Sequence, residues 1–286
     1  MKKFKVRNSA KVTKKVAPFL AASALLVMAG CGEGEETQAD NTDTQGENNE
    51  AEENDSEASQ GDAEEISVAV VQDYPPFEYM EDGELTGFDV DIIEAIAEDQ
   101  NLEVNWEIMR FDAIIPALQA NQMDAAVSAI SIREDRAEVV DFSQPYFESG
   151  LSLVVPVDSD INSLDDLEGA TIVAKQGTSG LEKANELAEE YNGEVTTFQE
   201  DAMMYMEIIS GNADAVINDY PSAAYKIVTD GDDSDIRIVG DRLTGEDYGI
   251  VVSKGADGLV EKMDAGLDSL FESGKYDEIY DQYFGE

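Results

Sequence analysis

The sequence predicts an α/β protein built as two lobes, each a mainly parallel sheet covered by helices. Three observations carry this. From Ile66 onward, apolar β-rich runs alternate with amphipathic helical patterns, and alternating βαβα units build parallel sheets. The alternation starts again near Thr171, so there are two such series. The stretch from Ile66 to Glu286 has 221 residues, enough for one large or two modest domains.

In order, Ile66–Val71 reads as a buried strand, and Phe88–Asp99 places Val90, Ile93 and Ala97 at helical spacing. Val104–Ile108 is a strand, Phe111–Ala120 a helix with Pro116 near its first turn, Ala125–Ser128 a strand and Arg133–Val139 a short helix. Leu151–Val155 is extended. The second series runs strand Thr171–Ala174, helix Ser179–Tyr191, strand Val195–Phe198, helix Met203–Ser210, strand Ala213–Ile217, helix Ala223–Val228 and strand Ile236–Val239. After an extended run Tyr248–Ser253, two helices close the chain, Leu259–Phe271 and Tyr276–Phe284. The run 150–156 is expected to cross to the second lobe and 248–252 to cross back. This gives a first lobe of residues 66–149 plus 249–286 and a second of 150–248. Open α/β sheets bind ligands beyond the carboxyl ends of their strands, so facing lobes make one cleft between them.

The N-terminus describes export. Met1–Lys15 carries seven Lys or Arg and no acid, and Val16–Ala29 is nearly all apolar or small, the pattern of a secretory signal over residues 1–30. The run is short for a membrane span, which needs about 20 apolar residues. Cys31, the sole cysteine, follows Met28-Ala29-Gly30. That resembles the lipobox of bacterial lipoproteins, where cleavage leaves a lipid-bearing cysteine as the new N-terminus. An ordinary signal peptide with an incidental cysteine is the plainer alternative, although a free exported thiol is a liability. The expected location is extracytoplasmic, lipid-anchored through Cys31 to the outer face of the cell membrane. Residues 31–65 then form a tether: Glu33–Glu65 holds 14 acids, no Lys or Arg and little that is apolar, so it is expected to be disordered and extended by self-repulsion. A tail that binds a cation or a basic partner is the alternative.

Residues 66–286 carry 50 acids against 11 bases, a net charge of −39. Such a surface repels nucleic acid and anionic lipid and suits saline surroundings, where screening relieves self-repulsion. The chain has no His. With its one Cys spoken for, thiol and imidazole nucleophiles and soft metal sites are missing, and no metal or cofactor is expected.

Polar and aromatic residues gather where the strands end. Tyr74-Pro75-Pro76-Phe77 follows the first strand, Phe111 the second, and Ser128-Ala129-Ile130-Ser131 the third, with Arg136 on the next short helix. In the second series Lys175-Gln176-Gly177-Thr178-Ser179-Gly180 leads into a helix N-terminus, and Asn218-Asp219 ends a strand. Each has a bland reading: Arg136 paired with Glu134 or Asp135, Asp219 capping the next helix, Tyr74 and Phe111 in the core, Lys175 exposed, and Gly177–Gly180 an ordinary strand-to-helix turn.

These blocks resemble the family 3 bacterial solute-binding proteins, the external receptors of ABC importers for polar amino acids. The resemblance lies in Pro75-Pro-Phe-Glu78, Gly87-Phe-Asp-Val-Asp91, Ile115-Pro-Ala-Leu118, Arg136, Asp141-Phe-Ser-Gln-Pro-Tyr146, Gly177-Thr178, Ala213-Asp-Ala-Val216 and Gly274-Lys-Tyr-Asp277. It runs in order from about Val68 to Phe284. Glutamine-binding members look most alike, through Phe111–Gln119. The resemblance implies a type II periplasmic-binding-protein fold, with the ligand cleft between lobes joined by two hinge strands. It also implies a monomeric, non-enzymatic lipoprotein whose partners are a free amino acid and an ABC permease.

An α-amino acid presents a carboxylate and an ammonium on one carbon. Arg136 suits the carboxylate, since its planar fork donates two parallel hydrogen bonds. Backbone N–H groups at Ser131 and at Thr178–Ser179 could add to it, the latter at a helix N-terminus. Asp219 suits the ammonium, with the Ala129 carbonyl and the Ser131 hydroxyl. The resemblance implies these roles, a side-chain sandwich by Tyr74 and Phe111, and pocket places for Ser128, Lys175 and Asn218.

The pattern also breaks. Many relatives with polar or basic ligands carry an Asp where this chain has Val71, and glutamine-binding ones a His where it has Asn218. Val71 argues against arginine, lysine or ornithine, whose distal cation would be buried unpaired, and it also weakens glutamine, unless Asp73 substitutes from nearby. A neutral polar amino acid is favoured, with cystine, an acidic amino acid and ectoine-like solutes open. Rival functions on this fold are a dehydratase, using Glu78 or Asp219 as acid or base, and a sensory ligand-binding domain.

Overall fold

A computed structural model describes residues 63–285. The signal segment, Cys31 and nearly all of the acidic tether lie outside the described residues. Two five-stranded sheets follow one plan. The first has the order Leu102–Ile108, Glu64–Val70, Ala125–Ala126, Val251–Val252, Asp141–Phe142. The second has the order Glu194–Phe198, Thr171–Lys175, Ala215–Asp219, Leu151–Pro156, Ile236–Val239. In each, the first three strands are parallel, and the fourth is antiparallel to both its neighbours. The sheets are therefore mixed where the sequence pattern pointed to parallel ones, because the chain re-enters each sheet on a strand that arrives from the other lobe.

The parallel trios set the cleft. Both central strands are apolar on both faces, since helices cover each side: Val68, Ala69 and Val70 in the first, Ile172, Val173 and Ala174 in the second, all essentially buried. Their carboxyl ends face one another. The crossing falls a few residues from the expected place. Phe147–Ser149 pairs antiparallel with Glu246–Tyr248 as a separate ribbon, while Leu151–Pro156, expected to cross, lies inside the second sheet. Gly150, with φ of 156°, marks the change; a Cβ there would lie 2.1 Å from the Thr244 carbonyl oxygen.

Two local readings also needed correction. Pro116 sits in the middle of the helix Phe111–Gln119, not its first turn, so the bond its N–H would have made to the Asp112 carbonyl is missing. The segment after the first strand, left without regular structure, is a three-stranded meander of Asp73–Tyr74, Glu78–Glu81 and Glu84–Thr86. Strands this short carry too little periodicity to be read.

The meander is held firmly. Gly87, with φ of 132°, packs where a Cβ would lie 2.1 Å from the Phe77 carbonyl oxygen, so only glycine allows that approach. The Phe77 ring meets Phe147 at 5.0 Å, Tyr248 at 5.3 Å and Phe284 at 5.5 Å between centroids. Aromatic pairs contribute about 0.5–1.5 kcal/mol each beyond burial. This cluster joins the crossing ribbon and the C-terminal helix Lys275–Phe284 to the turn that precedes Glu78. The second sheet has a core on each face, one under the helix Ser179–Glu190 and one under the helix Asp201–Ile209.

Candidate functional site

Where the two sets of strand ends meet lies a cavity of about 20 Å³. Its wall includes Tyr74, Phe111, Ser128, Ala129 and Arg136 from the first lobe and Lys175, Thr178, Ser179, Asn218 and Asp219 from the second. Those are the residues singled out in the sequence, Ser131 excepted. Val71 and Glu78 complete the lining. The volume suits one water.

Arg136 is 6% exposed and donates to the carbonyl oxygens of Ser131 at 2.8 Å and Gly177 at 3.0 Å. The first bond holds the guanidinium within its own lobe; the second crosses the cleft. Among the described residues no carboxylate pairs with it. The neighbour that takes the expected surface ion pair is Arg133, bidentate to Asp135 at 2.9 Å and also bonded across the cleft to Glu182. Burial, with repulsion from Arg133, lowers the Arg136 pKa to about 10, so it stays charged at neutral pH. The Phe111 ring lies 5.7 Å from its guanidinium carbon. A buried cation that meets only carbonyls still lacks an anion.

Asp219 supplies the opposite charge from the opposite lobe. It is the N-cap position of the helix Tyr220–Asp230, yet its side chain makes no capping bond. It instead accepts the Tyr74 hydroxyl at 2.6 Å. Burial of the carboxyl raises its pKa to about 7, opposed by the Tyr74 bond and helped by Glu246. The capping reading fails here, and so does the surface reading of Arg136.

The remaining residues divide between lining and support. Ser128 accepts the Val71 N–H at 2.9 Å, which leaves its hydroxyl proton for the cavity. Ala129 holds φ of 46°, unusual for a residue with a Cβ, with its N–H donated to Asp89 at 2.7 Å. Thr178 caps the helix Ser179–Glu190 through Leu181 N–H at 3.2 Å and donates to the Lys175 carbonyl at 2.7 Å. Ser131 and Ser179 both donate to Glu246, at 2.5 and 2.8 Å, so both hydroxyls are engaged by a group the sequence did not suggest. Asn218 donates to Asp201 and Tyr205 and accepts from Tyr74, a positioning role behind Asp219. Lys175 is buried, not exposed. Burial alone would lower its pKa, but Asp201 at 2.6 Å and Asp73 at 3.4 Å raise it overall. Asp73 is thereby engaged with Lys175 and does not line this cavity.

Glu78 is a lining residue that the sequence analysis does not count among the ligand contacts, naming it only for the rival enzyme reading. It is fully buried, it faces the same cavity, and neither carboxyl oxygen accepts an N–H or O–H from another described residue, so its one partner is Asp89, to which its proton is donated. Burial, then the nearby Asp89, raises its pKa well above the carboxylate range. Asp89 itself, bonded to Ala129 N–H and the Tyr146 hydroxyl, is raised by burial to about 6.

No group of His, Cys, Asp or Glu among the described residues has the arrangement to hold a metal ion, and no described helix is long and apolar enough to cross a membrane.

Facing charges from two lobes suit the two ends of a zwitterion. Residues 66–286 match the bacterial extracellular solute-binding proteins, family 3. The chain belongs to that family. It is 34% identical over 208 residues to the ABC transporter glutamine-binding protein GlnH of Bacillus subtilis (strain 168), covering 71% of this chain and 74% of that one. An ancestral arginine-binding protein solved with arginine aligns with a TM-score of 0.74 at 35% identity, covering 79% of this chain and 100% of that one. One solved with glutamine gives 0.72 at 35%, covering 78% and 98%. As a family 3 member the chain has the two-lobed periplasmic-binding-protein fold of these amino-acid-binding structures.

Proposed function

We propose that this chain is an extracytoplasmic receptor, anchored by lipid on Cys31, that delivers a polar amino acid to an ABC importer as a monomer. One observation carries the reading: Arg136 and Asp219, opposite in charge and from opposite lobes, line a single cavity. Arg136 takes the ligand carboxylate and Asp219 the ammonium, with Ser128 donating to the carboxylate beside it. Both groups now spend their bonds on the protein, Arg136 on two carbonyls and Asp219 on Tyr74. The cavity is far smaller than an amino acid, so entry requires the lobes to part. Closure is then favoured by contacts that one ligand makes to both lobes.

Glu78 bears on the side chain. The argument against cationic ligands rested on Val71, but a carboxyl does face the cavity, four residues beyond Tyr74. A buried carboxyl that accepts no hydrogen bond wants N–H donors. When protonated it can accept from a glutamine amide; when ionised it pairs with a cation. Glutamine or a similar neutral polar amino acid remains our first reading, and Glu78 is the observation that favours arginine-like cations as the second. A negatively charged side chain would find Lys175 already held by Asp201 and Asp73, with the proton of Glu78 as the donor left to it.

Calorimetric titration against glutamine, arginine, lysine, glutamate, cystine and ectoine tests this. A Kd in the micromolar range or below for one amino acid supports the reading; no binding by any of them sinks it. Glu78→Gln then separates the two classes. A cationic ligand should lose at least 100-fold, the cost of a buried charge without its counter-ion, whereas an amide ligand should lose less than tenfold. A dehydratase would convert the bound solute, so recovery of unchanged amino acid after long incubation supports transport.

A further inference from the structure

Beside the clamp lies a wider chamber of about 530 Å³ between the same lobes. That is the size of an ordinary small-molecule pocket, about 300–1,000 Å³. The two spaces share one wall, since Val71, Phe111 and Lys175 line both. Val71 and Phe111 belong to the first lobe, whereas Lys175 ends the middle strand of the second sheet's parallel trio. The wall is thus a seam where the lobes meet, not a continuous piece of either. A ligand side chain lying across the cleft as the lobes close would hold the seam apart and run through it, its stem between an isopropyl group and a phenyl ring.

Beyond the seam the chamber offers an apolar surface and net negative surroundings. Met80 and Ile108 line it, 40% and 49% exposed, and give it an apolar surface for a ligand to cover. Its cations are already matched: Arg110 pairs with Asp112 at 3.1 Å and Lys175 with Asp201 at 2.6 Å. The lining itself carries two acids and two cations; counting the partners Asp112 and Asp201, which lie outside it, Glu200 and Asp73, the latter 3.4 Å from the shared Lys175, bring the surroundings to two negative charges in excess.

We propose that the ligand site continues through this seam, so that the receptor accepts amino acids whose side chain is extended beyond that of lysine and ends in a cation. The proposal rests on the head-group clamp described above. Glutamine and lysine serve as short probes, and Nε-glycyl-lysine, Nε-acetyl-lysine and Nε-succinyl-lysine as extended probes ending in a cation, a neutral group and an anion. Calorimetry on the full chain should give Nε-glycyl-lysine a Kd within tenfold of the better short probe. The acetyl form should bind at least tenfold more weakly than the glycyl form, and the succinyl form more weakly still. Ile108→Trp fills the chamber without touching the clamp; it should weaken Nε-glycyl-lysine at least tenfold and change the short probe less than twofold. Glu200→Gln should narrow the glycyl-over-acetyl preference at least threefold. A bound short probe with Nε-glycyl-lysine weaker by more than 100-fold, or an Ile108→Trp that weakens both alike, overturns the extension and leaves the clamp standing. If neither short nor extended probes bind, the clamp itself is wrong and the extension falls with it.

Discussion

The two walls of the cleft hold their charges with different firmness. Arg136 and Asp219 are both pushed toward neutrality by burial, to about 10 and about 7. A guanidinium starts so far above neutral pH that the shift leaves it fully charged. A carboxyl starts below, and the shift brings it to the pH at which the protein works. The first-lobe wall is therefore a permanent anion site, and the second-lobe wall a cation site that exists only when Asp219 has lost its proton. Among the two head-group partners, only Asp219 should make binding depend on pH; Glu78, which lines the same cavity, acts on the ligand side chain.

Removing the permanent charge is the hardest blow to that contrast. Arg136→Ala should weaken ligand binding by about 3–5 kcal/mol, the range for orphaning one partner of a buried pair, at every pH. Calorimetry showing near-normal affinity would break the comparison outright. The second-lobe wall should instead give a slope. Between pH 4 and 7 affinity for a neutral amino acid should climb up to about tenfold per unit and flatten above 7. Asp219→Asn should weaken binding by about 1.5–3 kcal/mol at neutral pH, the value of hydrogen bonds to charged groups, and abolish the slope. A slope that survives in this variant would assign the proton elsewhere.

Stability should move the other way. The folded protein keeps a proton on Asp219 that the unfolded chain releases near pH 3.8, so it binds more protons than the unfolded chain up to about pH 7. Ligand-free stability should therefore fall as pH rises through that window and level off above it. Asp89, raised to about 6, adds to the lower part of this fall without affecting head-group binding. Urea denaturation at a series of pH values reads both.

Glu78 sharpens the contrast from within the first lobe, where a titrating carboxyl sits near the permanent cation. Glu78→Leu removes two oxygens that accept no hydrogen bond and should stabilise the ligand-free protein by about 1–3 kcal/mol, at the expense of binding. Destabilisation in urea would mean that Asp89 holds the carboxyl in place. The smallest effect should be general. With −39 on residues 66–286, lowering ionic strength should reduce the melting midpoint by about 2–4 °C, on the order of 1 kcal/mol for a chain of this size. Indifference to salt would deny the self-repulsion.

Much of this was legible without coordinates. The two βα series are long and periodic, and their strands end in residue types that suit a zwitterion, so ten of the proposed contact residues come together around one cavity. What misled was local. Arg133 and Arg136 share one acidic stretch, and nothing in spacing says that Arg133 takes Asp135 while Arg136 turns inward. The crossing was placed late because Leu151–Val155 reads equally well as a buried strand, which it is.

The sequence alone determined the alternation of elements, the acidic composition, the lack of imidazole and the opposite charges at strand ends, because these follow from periodicity and composition. Only the tertiary structure decided where Glu78 points, that Glu246 engages both Ser131 and Ser179, and that Lys175 is paired before any ligand arrives. These depend on which face a four-residue strand presents and on contacts between residues tens to more than a hundred positions apart. Periodicity has no reach at that distance, and packing does.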